Sequence, residues 1–148
     1  MSPKKIDRSD AISMLWSTDG PHTADSITTA ANGIAELWRY LAHATLRTDS
    51  EVLTDPADVY LVAGTLSAAA NSAVQVLRQL HRWAEELVTM PGLTHDSDRS
   101  DSELAMTAAD LAAGALEESR IEMTLHAKAL STAAAALGHL YIDSDGGE

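Results

Sequence analysis

The sequence contains no cysteine. A chain without thiols can form no disulfide, has no thiolate nucleophile and cannot hold a zinc ion or an iron–sulfur cluster through sulfur ligands. Its 148 residues, 45% of them hydrophobic, are nevertheless enough to bury a core without such cross-links. We therefore expect a single domain over residues 1–148, in which residues 1–20 form a mobile N-terminal arm and residues 143–148 a mobile acidic tail.

Basic and aromatic residues are also scarce. The chain has 22 acidic against 10 basic residues, no phenylalanine, and only three tryptophans and three tyrosines. Nucleic-acid binding draws most of its affinity from lysine and arginine at phosphates, and single strands are held by stacking on aromatic rings. We therefore expect no nucleic-acid partner.

No segment has the pattern of a signal sequence or a membrane span. The basic residues near Met1 are not followed by an apolar run. Residues 59–77 carry no formal charge, but polar residues such as Ser67 and Asn71 interrupt them and Arg78 follows at once. This composition argues against a membrane partner and predicts a cytoplasmic protein.

Helix signals dominate the rest of the sequence. A short helix is predicted over about residues 9–17, before a turn at residues 18–21. The first long helix is predicted over about residues 24–46, because its apolar residues recur at helical spacing: Ile27, Ala30, Ala31, Ile34, Leu37, Trp38 and Leu41.

Two further long helices have recognisable starts. Asp55 is a predicted N-cap, with Pro56 in the first turn and Asp58 near the positive helix end, and this helix is expected to end near Met90. Ser100 with Glu103 is read as a capping box for the last helix, which is predicted to reach about residue 141.

The second long helix carries two apolar lines. The first, which includes Leu77 and Leu80 and is expected to be innermost, is Val59, Ala63, Leu66, Ala70, Ala73, Leu77, Leu80, Ala84 and Leu87. The other repeats every seven residues: Val62, Ala69, Val76, Trp83 and Met90. Because the combined face is too wide for one neighbour, this helix is expected to contact two.

These elements predict an all-α fold. Three long antiparallel helices, preceded by a short N-terminal helix, should form an up-down-up bundle, since short connections favour antiparallel neighbours. The last helix is much longer than the first and has apolar residues on most sides, which leaves apolar surface uncovered in a monomer. We therefore expect oligomerisation to complete the bundle.

Glu122 and His126 form the best candidate for chemistry. They are one turn apart on the last helix at the rim of its apolar sector, and they are expected to form a partly buried hydrogen-bonded pair. A similar pair, His81 and Glu85, lies on the second long helix. In an antiparallel hairpin the two pairs are about 22 Å apart, so one subunit cannot join them in one metal site.

Acidic residues gather at one pole of the predicted bundle, where the first connection meets the C-terminal tail. The residues that could bind a basic partner there are Asp49, Glu51, Asp55, Asp58, Asp143 and Asp145. Helix capping and solubility are the simpler explanation for them.

The sequence shows no phosphate loop, nucleophile elbow or zinc-protease motif. The first functional hypothesis is therefore a non-enzymatic helical interaction or scaffold module that acts as a homo-oligomer, without a cofactor. The second is an acidic inhibitor or immunity-type protein that docks a basic partner. The third is a metal-dependent helical-bundle enzyme that uses Glu122 and His126.

Overall fold

A computed structural model describes residues 7–46 and 52–142. Those residues form four helices and no strand, so the expected all-α fold is confirmed. The chain divides into two compact units, residues 1–52 and 53–148. Asp49, Glu51, Asp143 and Asp145 lie outside the described residues.

The first unit contains α1 (Arg8–Leu15) and α2 (Ala24–Ala44). The predicted turn between them is present, and Gly20 adopts a φ of 87° there, in the region that favours glycine. A capping box joins Thr23 and Ser26 at the start of α2. The Trp16 ring lies against Gly33 of α2, so the end of the predicted arm contacts the first long helix.

In the second unit, α3 runs over Pro56–Leu87. The predicted start is confirmed: the Asp55 carboxylate accepts a hydrogen bond of 2.8 Å from the Ala57 backbone N–H, and Pro56 lies in the first turn. The helix ends three residues before Met90. A turn follows, in which Gly92 adopts a φ of 80°.

Helix α4 runs over Ser102–Leu137, and the predicted capping box at its start is wrong. The cap is Asp101, whose carboxylate accepts from the Leu104 backbone N–H at 3.0 Å. Ser100 is used differently, because its backbone N–H and its hydroxyl both donate to Asp98 Oδ1, at 2.9 and 2.6 Å. Those hydrogen bonds lower the pKa of the Asp98 carboxyl.

Helices α3 and α4 pack against each other as an antiparallel hairpin. Two side chains cross between the helices and define the register. The Ser67 hydroxyl donates to the Ala127 carbonyl at 2.9 Å, and His81 Nδ1 lies 2.9 Å from the Ala113 carbonyl oxygen. Moving from residue 67 to 81 on α3 therefore corresponds to moving from 127 back to 113 on α4.

Small side chains fill the contact between the two helices. The buried residues are Ala63, Ser67, Ala70 and Ala84 of α3, and Ala105, Ala109, Ala113, Ala127 and Ala134 of α4. Side chains of this size let two helix axes approach closely, but each one buries little apolar area. In the described residues no large side chain is fully buried.

The expected innermost position of Leu80 is wrong, because its side chain is 46% exposed. The small residues at positions 63, 67 and 70 set the line that faces α4, and His81 rather than Leu80 continues it. On α4 the predicted seven-residue repeat does face α3. Its members are partly buried between the alanines: Leu116, Met123, Leu130 and Leu137.

Candidate functional site

The most prominent surface feature of the hairpin is a line of apolar residues on α3 beside the packed line. Its members recur at alternating steps of four and three: Val62, Leu66, Ala69, Ala73, Val76, Leu80, Trp83 and Leu87. Val76, Leu80 and Trp83 are about half exposed, at 51%, 46% and 57%. These three large side chains therefore remain about half exposed, while the buried positions of the hairpin are occupied by alanine and by Ser67.

A matching line runs along α4. Its nine positions are Leu104, Ala108, Leu111, Ala115, Ser119, Glu122, His126, Ala129 and Ala133. On each helix, the line of residues that packs against the other helix lies one residue further along the chain than the apolar line. At 100° per residue, the apolar line is therefore turned about 100° from the packed line. The turn has the same sense on both helices when each is viewed from its own N-terminus. Because the helices are antiparallel, both lines lie on one side of the hairpin, which we call the apolar face.

A shallow groove between the helices agrees with this projection. Leu77 of α3 lines it together with Ser119, Glu122, Met123 and His126 of α4. The apolar face is thus a continuous surface from one helix to the other, and Glu122 and His126 lie within it.

The opposite side of the hairpin is polar. The Arg120 side chain donates to Glu117 through Nε at 2.7 Å, and this contact lowers the pKa of the Glu117 carboxyl. The positive charge of Arg78 on α3 acts in the same direction. His81 Nε2 lies 3.5 Å from Glu85 Oε2, so the predicted pair on α3 is present.

Glu122 and His126 do not form the predicted buried pair. Both side chains are exposed, and within residues 7–46 and 52–142 neither takes part in an ion pair. The reason is their position on the apolar face, which α3 covers only at its edge. Among the described residues, no group of three or more histidine, aspartate or glutamate side chains within the chain could hold a metal ion.

Glu122 lies at the middle of the hairpin. Helix α3 runs from residue 56 to 87, so its midpoint is near Ser72. The register of the two cross-helix hydrogen bonds places Ser72 level with Glu122. The only ionisable residues of the two lines, Glu122 and His126, therefore occupy the centre of the apolar face.

Only part of the predicted acidic pole lies within the described residues. Asp55 and Asp58 are at the start of α3, and Tyr60 in the next turn lies against Gly138 at the end of α4, so these helix ends are neighbours. The Asp55 carboxylate is engaged as a helix cap. Asp49, Glu51, Asp143 and Asp145 lie outside the described residues, and docking of a basic partner stays a prediction.

Two cross-helix contacts were not predicted from the sequence. Ser67 and His81 each reach a backbone carbonyl of α4. A small polar residue in a line of alanines was the available signal for Ser67. For His81, the sequence predicts a position at the rim of the apolar face, whereas the side chain lies on the line that faces α4 and reaches the Ala113 carbonyl.

The apolar composition of α3 also bears on membranes. By length and composition this helix could cross a bilayer, with a mean hydropathy of 1.2 over its most apolar stretch, and only 11% of that stretch is buried. One such helix is weak evidence for a membrane span, since core helices of soluble proteins can have the same length and apolar composition. Its polar side, which includes Arg78 and Arg82, would be costly in lipid.

Comparison with protein-family models, curated proteins and solved structures found no match for this chain. Its function is therefore inferred from the surface of the hairpin and the chemistry of the residues on it.

Proposed function

We propose that this protein is a non-enzymatic helical interaction module that acts as a homo-oligomer, in its simplest form a homodimer. Two copies pair through the apolar face of the α3–α4 hairpin. The observation that carries the proposal is the distribution of side-chain size: the buried positions of the hairpin are alanines and Ser67, while the larger Val76, Leu80 and Trp83 are about half exposed. Large contiguous apolar surfaces of this kind normally mark interaction sites.

The length of the face favours a second copy as its occupant. At 1.5 Å per residue, α4 is about 54 Å long, whereas α2 is about 31 Å long. The hairpin of a second copy matches the face over its whole length. Two hairpins placed face to face would form a four-helix bundle with the apolar lines inside, the usual arrangement for helices with wide apolar faces.

The alternative occupant is α2 of the same chain, which would complete the predicted up-down-up bundle. Helix α2 carries an apolar stripe whose members include Ile27, Ile34 and Trp38, all at least half exposed. Its limited length would leave a large part of the face of α4 uncovered. The up-down-up arrangement therefore stays a prediction. It would give the mass of one chain in solution, whereas the dimer would give twice that mass.

The absence of cysteine provides a direct test with matched variants. Ser119 and Thr124 are both exposed on α4 near its middle, and each hydroxyl donates to the carbonyl four residues earlier. Ser119 lies on the apolar face and Thr124 on the polar side. A short bis-maleimide cross-linker is expected to join two chains in Ser119→Cys and to leave Thr124→Cys as single chains. Equal cross-linking of both variants, or of neither, would contradict the proposed interface.

A further inference from the structure

Glu122 and His126 are the exception to the composition of the apolar face. Every other position of its two lines is alanine, serine or a larger apolar residue. Residues four apart on a helix lie on one side, with about 5–6 Å between their Cβ atoms, which is the spacing used by helical metal-binding pairs. One chain thus presents a carboxylate and an imidazole together on its exposed face.

Two-fold symmetry would bring two such pairs together. In a symmetric dimer whose hairpins overlap completely and whose two-fold axis is perpendicular to the helices, α4 of one copy faces α4 of the other, and the midpoints of the two faces coincide. Because Glu122 lies at that midpoint, the two copies of Glu122 share one level, and each His126 is one helical turn away, at about 6 Å of rise. This step depends on the proposed homodimer.

We propose that the dimer binds one divalent transition-metal ion, such as zinc, through Glu122 and His126 of both copies. Two carboxylate oxygens and two imidazole nitrogens make a four-ligand set, which suits tetrahedral zinc. A single chain supplies only half of it, in keeping with the lack of a larger metal-binding group within one chain.

Electrostatics supports a cation at this place. Two carboxylates brought together inside an apolar interface would repel each other and lose hydration, which opposes association. A divalent cation between them neutralises both charges. The residues at the centre of the face would then strengthen the dimer only when the ion is present.

The test uses full-length protein freed of metal with a chelator and titrated with zinc in a calorimeter. We expect half an equivalent of zinc per chain, and a rise in Tm of about 4 °C when free zinc exceeds its Kd a hundredfold, because one ion stabilises two chains. Glu122→Gln and His126→Ala should each weaken zinc binding at least tenfold. Glu85→Gln, on the polar side, and His139→Ala, beyond the end of α4, are the matched controls and should bind zinc like the wild type.

The mass measured by light scattering in the same samples separates the two proposals. A monomer with and without zinc would contradict the homodimer and the metal site together. A dimer that binds no zinc, or whose zinc binding survives both Glu122→Gln and His126→Ala, would overturn the metal site alone. In a dimer that binds no zinc, Glu122 and His126 would only form hydrogen bonds across the interface.

Discussion

Truncation of Leu80 perturbs the proposed interface without creating a cavity inside the hairpin. Its side chain is 46% exposed in the single chain, so about half of its apolar surface remains to be buried by a partner. Full burial of a leucine side chain is worth about 1.5–3 kcal/mol. Leu80→Ala is therefore expected to remove about 1 kcal/mol per copy, or about 2 kcal/mol per symmetric dimer, which corresponds to a roughly 30-fold higher dimer Kd.

The assay is a dilution series in sedimentation velocity, with helix content measured by circular dichroism on the same samples. Helix content of the dimer should be unchanged at high concentration, because alanine favours helix at least as well as leucine. Ile121→Ala is the matched control: Ile121 is 49% exposed, but it lies on the polar side of α4. A similar Kd for wild type and Leu80→Ala, or an equal loss in Ile121→Ala, would refute the assignment of the apolar face as the interface.

The remaining predictions concern the hairpin itself and are read from urea melts. Ser67→Leu should lower the free energy of unfolding by at least about 1–3 kcal/mol, because the small serine side chain permits close helix packing. Ser67→Ala should lower it by about 1 kcal/mol or less. The reverse order would exclude a close approach of α3 and α4. Asp55→Ala should lower the free energy of unfolding by about 1 kcal/mol, whereas Asp55→Asn should change it little, since asparagine caps a helix equally well. Equal losses in the two variants would assign the carboxylate a role other than capping. Because the folded state lowers the pKa of Glu117 from its ordinary value of 4.5, the advantage of wild type over Glu117→Gln should be complete above that pH and disappear as the pH falls through the lowered pKa. An advantage that persists in acid would contradict the Arg120 contact as its source.

Most of the secondary structure was predictable because local chemistry determines it. Asp55 and Pro56 mark the start of α3 correctly, since a carboxylate at the N-cap and proline in the first turn act within a few residues. The start of α4 was predicted wrongly because the Ser100 hydroxyl and backbone N–H both donate to Asp98, and the Asp101 carboxylate caps the helix instead. Three polar residues in four positions leave the choice of cap to the geometry of the loop.

The packing was less predictable than the helices. Periodicity identified a wide apolar face on α3, but it did not show that the small residues at 63, 67 and 70 would face α4 while Leu80 turned away. Hydrophobicity ranks leucine above alanine for the core, whereas close approach of two helices selects small side chains. Periodicity likewise predicted that Glu122 and His126 lie at the rim of the apolar sector. It could not predict their exposure, because that depends on which face of α4 is covered by α3.

The mass of the wild-type chain in solution tests the central claim most directly. Light scattering behind size-exclusion chromatography, over a range of micromolar concentrations, is expected to give twice the mass of one chain, with dissociation towards the monomer on dilution. A mass of one chain at every concentration would contradict pairing through the apolar face and would favour coverage of that face by α2 of the same chain.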